Sequence, residues 1–301
     1  MKILVTGANG QLGFEMKKAA MSCHLEDAHF LYTDIDTEVK LDVTDRSALE
    51  AFIKENRPDV VMNFAAYTAV DKSETEREAA FAVNVTAVEY LSELSNQYRF
   101  FLINISTDYV FDGKTALPIA EEHPLSPESY YGLTKASGEV QMRKLCHHGA
   151  IIRTSWLYSS YGRNFLRAIL HHVEAGNNLK VIDDQIGTPT YAADLAQFIL
   201  LHLKEMTQVE GVETYHFSNS GVASWYDFAC AIMELARIPY PVQPISTAEY
   251  PTAAPRPAYS VLNKRKIKEK FNYTPRHWEA ALKDCLKELE YTVKKMRELK
   301  K

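Results

Sequence analysis

The sequence predicts an α/β protein, a Rossmann-type doubly wound parallel sheet with a smaller, discontinuous C-terminal lobe. Three observations carry that expectation. Short apolar runs alternate with longer amphipathic segments through the first half of the chain. A glycine-rich turn follows the first apolar run directly. After residue 155 the alternation loosens, and proline, aromatic residues and longer loops such as EYPTAAPRP become frequent. Strand and helix in strict alternation imply a parallel sheet covered by helices on both faces.

The elements follow in order. KILVT (2–6), HFLYT (29–33), DVVMN (59–63), FFLINI (100–105) and AIIRT (150–154) read as buried strands, because runs of this length are apolar throughout. Between them QLGFEMKKAAM, RSALEAFIKENR and the long stretch from Glu74 to Arg99 read as helices. Residues 191–206 and TYHFS (214–218) are expected to return to the sheet. The dinucleotide-binding domain is therefore assigned to 1–155 and 191–218, and the substrate domain to 156–190 and 219–301.

Composition excludes several classes. The chain has 301 residues, 46% hydrophobic and 24% charged, with a net charge of −5. A basic surface for nucleic acid is not expected from that balance. The four cysteines, Cys23, Cys146, Cys230 and Cys285, form no C-x-x-C pair, which disfavours a metal knuckle or a disulfide framework. No apolar run approaches the ~18 residues of a membrane span, and MKILVTGANG reads as a first strand and not as a signal peptide. A cytoplasmic protein, monomer or homodimer, is the expectation. His147-His148 and His171-His172 are adjacent pairs, which face different ways on a helix. Glu15 is read as a first-turn carboxylate facing the helix dipole. No metal is expected. The last stretch, KKMRELKK, reads as a solvated helix end.

The turn TGANGQLG places Gly7, Gly10 and Gly13 in the spacing G-x-x-G-x-x-G between a strand and a helix. Gly7 permits the tight turn, Gly10 the approach of a diphosphate, and Gly13 close helix–sheet packing. Asn9, Gln11 and Leu12 lie within the same turn, and the helix that follows offers free N–H groups to phosphate. An acidic residue is expected at the end of the second strand to bind the adenosine ribose. Asp34 fits, with Asp36 as a competitor. A carboxylate there leans the cofactor toward NADH over NADPH, although Lys17 or Lys40 can offset it. Asp42 and Val43 are placed to meet the adenine edge.

NFAAYTAVD (63–71) and ISTDYVFDG (105–113) follow the third and fourth strands, at the carboxyl edge where doubly wound folds bind ligands. Ser106 and Thr107 bring hydroxyls to that edge. Tyr131 and Lys135 are four apart on the next helix and share one face. Glycine turn, hydroxyl residue and Tyr-x-x-x-Lys together resemble the extended short-chain dehydrogenase/reductase superfamily. GANGQLG, NFAAYTAVDKSE, STDYVFDG, YYGLTKASGE, RTSWLY, GRNF and DQIGTPT, in this order, resemble its dTDP-4-dehydrorhamnose reductase family.

That resemblance implies reduction of the C4 ketone of dTDP-4-dehydro-L-rhamnose to dTDP-L-rhamnose by NADH or NADPH. It implies Tyr131 as proton donor, with Lys135 lowering its pKa and holding the nicotinamide ribose, and Thr107, with Ser106 beside it, bonding the developing alkoxide. Ala65, Ala66 and Tyr67 would line the cofactor. Thr68, Val70, Asp71 and Asp108 would lie near the sugar nucleotide. Trp156 would pack against the deoxyhexose, Asn164, Gln185 and Thr188 would line the cleft, and Arg256 would meet the nucleotide diphosphate. Two other readings stay open. One is a related 4-keto-deoxysugar reductase with different C4 stereochemistry, and the other a non-catalytic dinucleotide-binding regulatory subunit. A dehydratase is disfavoured, because no glutamate follows Asp108.

Overall fold

The computed structural model of the chain describes residues 1–23, 28–290 and 294. The basic stretch KKMRELKK, apart from Lys294, lies outside the described residues. Among the described residues no helix is long and apolar enough to cross a membrane.

Six strands form the main sheet: β1 (Lys2–Thr6), β2 (His29–Tyr32), β3 (Val60–Asn63), β4 (Phe101–Thr107), β5 (His148–Thr154) and β6 (Gly211–His216). Their order is β6-β5-β4-β3-β1-β2, and every neighbouring pair is parallel. The expected fold class is the one observed. The chain leaves β1 toward β2, then crosses back to β3 on the other side. This reversal creates a switch point beside β1, where a crevice opens at the carboxyl edge.

Alternation along the strands divides the core between two faces. Ile3, Val5, Met62, Ile103 and Ile152 point to one side, against α1 (Gln11–Ser22). Leu4, Val61, Leu102 and Ile151 point to the other, against α2 (Arg46–Asn56), α3 (Ala87–Tyr98) and Met142 of α4 (Tyr130–Leu145). Each such fully buried aliphatic side chain contributes roughly 1.5–3 kcal/mol relative to exposure. Beyond β5 a separate core forms between α5 (Phe165–Glu174), α7 (Trp225–Ala236) and α8 (Trp278–Glu288). The segment between them, α6 (Ala192–Met206), packs with α1 on the sheet.

Three local features differ from the sequence expectations. The long helix expected from Glu74 to Arg99 is interrupted by a π-helical turn, Ala82–Thr86. Ile267 and Phe271, assigned above to the second lobe, are buried in the sheet's core, so the chain returns there a second time. Glu15 lies beyond the first turn of α1 and is buried. It accepts from Ser159 Oγ at 2.5 Å and pairs with Lys18 at 3.0 Å, which ties α1 to the second lobe and leaves the helix dipole no part in explaining it.

Candidate active site

A cleft of ≈ 610 Å³ runs along the carboxyl edge of the sheet. It joins the glycine turn at one end to Thr107, Tyr131 and Lys135, and continues to Trp156 in the second lobe.

The glycine turn is built for close approach. Gly7 has φ +64°, and a Cβ there would overlap the backbone of Ala65. The Gly10 N–H donates to Gly7 O at 3.0 Å, and α1 starts at the next residue. The Asn9 N–H donates to Asp34 Oδ2 at 2.9 Å and the Asn9 side-chain amide to Asp36 O, so the end of β2 is held against the turn. Gln11, Leu12, Gly13, Ala66, Thr68 and Val70 line the same cleft. Asp42 accepts from the Thr44 N–H and hydroxyl, and Val43 is buried. Tyr67 is fixed through its backbone by Asn84, with its hydroxyl on Glu76 at 2.6 Å.

Local sequence places the tyrosine. Ser129 accepts from the Gly132 N–H at 3.1 Å and starts α4 at Tyr130. A Cβ on Gly132 would overlap the Tyr109 carbonyl, so its absence brings Tyr131 against the turn that follows β4. Thr107 Oγ1 donates to Asp108 Oδ1 at 2.9 Å and accepts from the Tyr109 N–H, beside the Tyr131 phenol. The rings of Tyr109 and Tyr131 meet edge to face at 5.5 Å. Lys135 Nζ donates to Ile105 O at 2.7 Å. Ser106 is turned the other way, donating to Glu139 Oε1 at 2.6 Å.

Burial dominates the electrostatics of the site. Burial pushes the Tyr131 phenol up to about 12, with the Thr107 hydroxyl lowering it and Asp108 raising it. Burial pulls Lys135 down to about 8, and Glu139 acts against that. Lys135 is not among the groups that act on the phenol. Its ammonium is engaged by a backbone carbonyl, and removing a phenolate from water outweighs the rest. Asp108 is buried and raised to about 6.

The second-lobe residues divide. Trp156 lines the cleft with φ +48°, and its indole stacks on Trp225 at 3.6 Å and 7°. Asn164 instead caps α5 and donates to Gln11 Oε1 at 2.9 Å. Gln185 donates to Thr247, and Thr188 to Gly221 O, both from buried positions. Arg256 meets Asp71 in a two-pronged ion pair, both contacts 2.6 Å. Asp71 is held below the usual carboxylate range chiefly by that hydrogen bond. Sequence reasoning missed Trp225, Phe165 and Arg163, which also line the cleft. A signal existed for Trp225, since Ser224 and Asp227 form a capping box that starts a helix at that residue.

Fold and site together define an NAD(P)-binding oxidoreductase of the extended short-chain dehydrogenase/reductase type. The comparisons make this particular. Residues 1–291 match the family described as RmlD substrate binding domain, and the chain belongs to this family, that of the dTDP-4-dehydrorhamnose reductases. It is 39% identical to the Bacillus subtilis spore coat polysaccharide biosynthesis protein SpsK, covering 95% of this chain and 97% of that one. It is 37% identical to dTDP-4-dehydrorhamnose reductase of Aggregatibacter actinomycetemcomitans, covering 94% and 97%. The solved structure of dTDP-4-dehydrorhamnose reductase from Bacillus anthracis in complex with NADP aligns with TM-score 0.87 at 34% identity, covering 95% of this chain and 99% of that one.

Proposed function

We propose that this protein reduces the C4 ketone of dTDP-4-dehydro-L-rhamnose to dTDP-L-rhamnose, with Tyr131 as the proton donor. The observation that carries the reading is the single cleft joining the glycine turn to Tyr131, Thr107 and Lys135. The turn, in which a Cβ on Gly7 would fill the space against Ala65, suits a dinucleotide diphosphate. The dinucleotide supplies the hydride that adds to C4 of the sugar.

The remaining chemistry belongs to the chain. A ketone that gains hydride becomes an alkoxide and needs a proton. Tyr131 holds its phenolic proton at neutrality, because burial keeps it as the neutral acid, and gives it to the alkoxide oxygen. Thr107, whose hydroxyl lowers the phenol's pKa, turns its proton from Asp108 to the oxygen as charge develops. Lys135 keeps a positive charge beneath the site below its value of about 8 and compensates the tyrosinate left behind. The stack of Trp156 on Trp225 offers a rigid aromatic wall to the apolar side of a deoxyhexose. Asp34, at the end of β2, favours NADH, since its carboxylate repels a 2′-phosphate.

The test follows loss of reduced nicotinamide absorbance with dTDP-4-dehydro-L-rhamnose generated in situ, NADH and NADPH being run separately. Oxidation that yields dTDP-L-rhamnose, faster with NADH, is the expected outcome. A product of opposite C4 configuration would redirect the substrate assignment. A faster rate with NADPH would refute the role given to Asp34.

A further inference from the structure

The cleft has a residue on its far wall that the chemistry above does not use. Arg163 lines it together with Gly7, Gly10 and Gln11, although it belongs to the second lobe. The loop that carries it is seated on the first turns of α1 by three separate contacts and a close approach at Gly162. Ser159 donates to Glu15, and the Tyr161 ring stacks on Phe14 at 4.2 Å and 10°. A Cβ on Gly162 would stand 3.1 Å from Gln11 Cγ, and the Asn164 amide donates to Gln11 Oε1 at 2.9 Å. The backbone on both sides of Arg163 is thus fixed against the helix end that follows the glycine turn.

The guanidinium itself is uncommitted. Among the described residues no hydrogen bond, ion pair or ring contact engages it, whereas its neighbour Arg167 is tied to Ser160 O at 2.7 Å. An arginine fork is suited to phosphate oxygens and carries its charge at any pH near neutrality. The helix end beneath it already favours an anion through its free N–H groups.

We propose that Arg163 is a cofactor-positioning residue of the second lobe, closing over the dinucleotide diphosphate from the side opposite the glycine turn. The inference rests on the dinucleotide reading given above. The sugar nucleotide also carries a diphosphate. The cofactor is favoured because Arg163 shares its stretch of the cleft with the glycine turn, and its loop docks on α1. The consequence is that dinucleotide affinity depends on contact between the two lobes.

The experiment measures binding of NADH, ADP-ribose and dTDP to the full chain by calorimetry, for the wild type, Arg163→Ala and Arg163→Lys. Loss of one exposed charge-assisted contact is expected to weaken NADH and ADP-ribose about tenfold in Arg163→Ala, with a smaller loss in Arg163→Lys. The dTDP affinity stays constant, and the salt dependence of NADH binding flattens. Unchanged NADH affinity in Arg163→Ala would overturn the inference, as would a loss confined to dTDP. Wild-type protein that binds neither NADH nor ADP-ribose would overturn the dinucleotide reading as well, so the two failures are distinguishable. Arg163 is exposed and unpaired, and both variants are expected to fold with wild-type thermal stability.

Discussion

The two walls of the cleft are built on different physical terms. On the sheet side Thr107, Tyr131 and Lys135 are buried, with Thr107 bonded to Asp108 and Lys135 to the backbone of Ile105. Behind them Glu139 and Arg153, both buried, form an ion pair at 2.7 Å that also holds Ser106. On the second-lobe side the corresponding contacts are less buried, namely the Arg256–Asp71 pair, the half-buried Trp156–Trp225 stack and the free Arg163. The difference teaches where precision is needed. Proton and hydride transfer demand fixed geometry, which burial supplies. Ligand entry demands contacts that can be traded for contacts to the ligand, and these must be individually weak.

The comparison breaks first at the buried ion pair. Arg153→Met leaves the buried Glu139 with only the longer Arg143 contact of 3.5 Å and the Ser106 hydroxyl, and breaking a buried pair in this way costs up to about 3–5 kcal/mol. Chemical denaturation should show that loss, while the exposed Asp71→Ala should barely move the midpoint. Equal effects for the two variants would erase the distinction between the walls.

A pH experiment sharpens the same point. Burial raises Asp108 to about 6 in the folded chain, above its ordinary value. The folded state therefore binds more protons than the unfolded one between the two values. This group's stability contribution is largest in acid and falls as pH rises to about 6. A shift of about 2 units corresponds to about 3 kcal/mol. Asp108→Asn removes the penalty, so the variant's stability relative to wild type should rise between pH 4 and 7. A constant difference over that range would contradict the assignment.

On the other wall Trp225→Leu removes the partner of Trp156, and a stacked aromatic pair is worth about 0.5–1.5 kcal/mol beyond its buried area. Sugar-nucleotide affinity should fall severalfold in titrations while NADH affinity holds. The smallest effect belongs to Asp71→Ala. An exposed pair contributes about 0.2–1 kcal/mol, so releasing Arg256 should change dTDP affinity by less than about fivefold.

How much of this was legible in the sequence follows from the range of each cause. The strands and the glycine turn depend on local pattern, and β1, β3 and β4 begin and end within about two residues of their apolar runs. Tyr131 and Lys135 were readable because four residues on a helix define a face. The π-turn at Ala82–Thr86 was not, since its partners come from elsewhere. Asn84 there bridges Tyr67 and Thr134, and the Asn84 carbonyl abuts Gly138 of α4. The pairing of Arg256 with Asp71 spans 185 residues, beyond any periodicity. Both had been singled out for the substrate, and no local signal tells that each would meet the other. Nor could helical spacing reveal that Lys135 would bond Ile105 O.

The central claim is that Tyr131 gives the proton while the rest of the site only holds and tunes it. The most direct measurement is a single turnover of Tyr131→Phe with saturating NADH and dTDP-4-dehydro-L-rhamnose, alongside NADH binding to the same variant. Reduction slowed by about 10²–10⁴-fold, with NADH affinity within about twofold of wild type, is the predicted result. Near-normal reduction by Tyr131→Phe would contradict it and pass the acid's role to another group at the same edge.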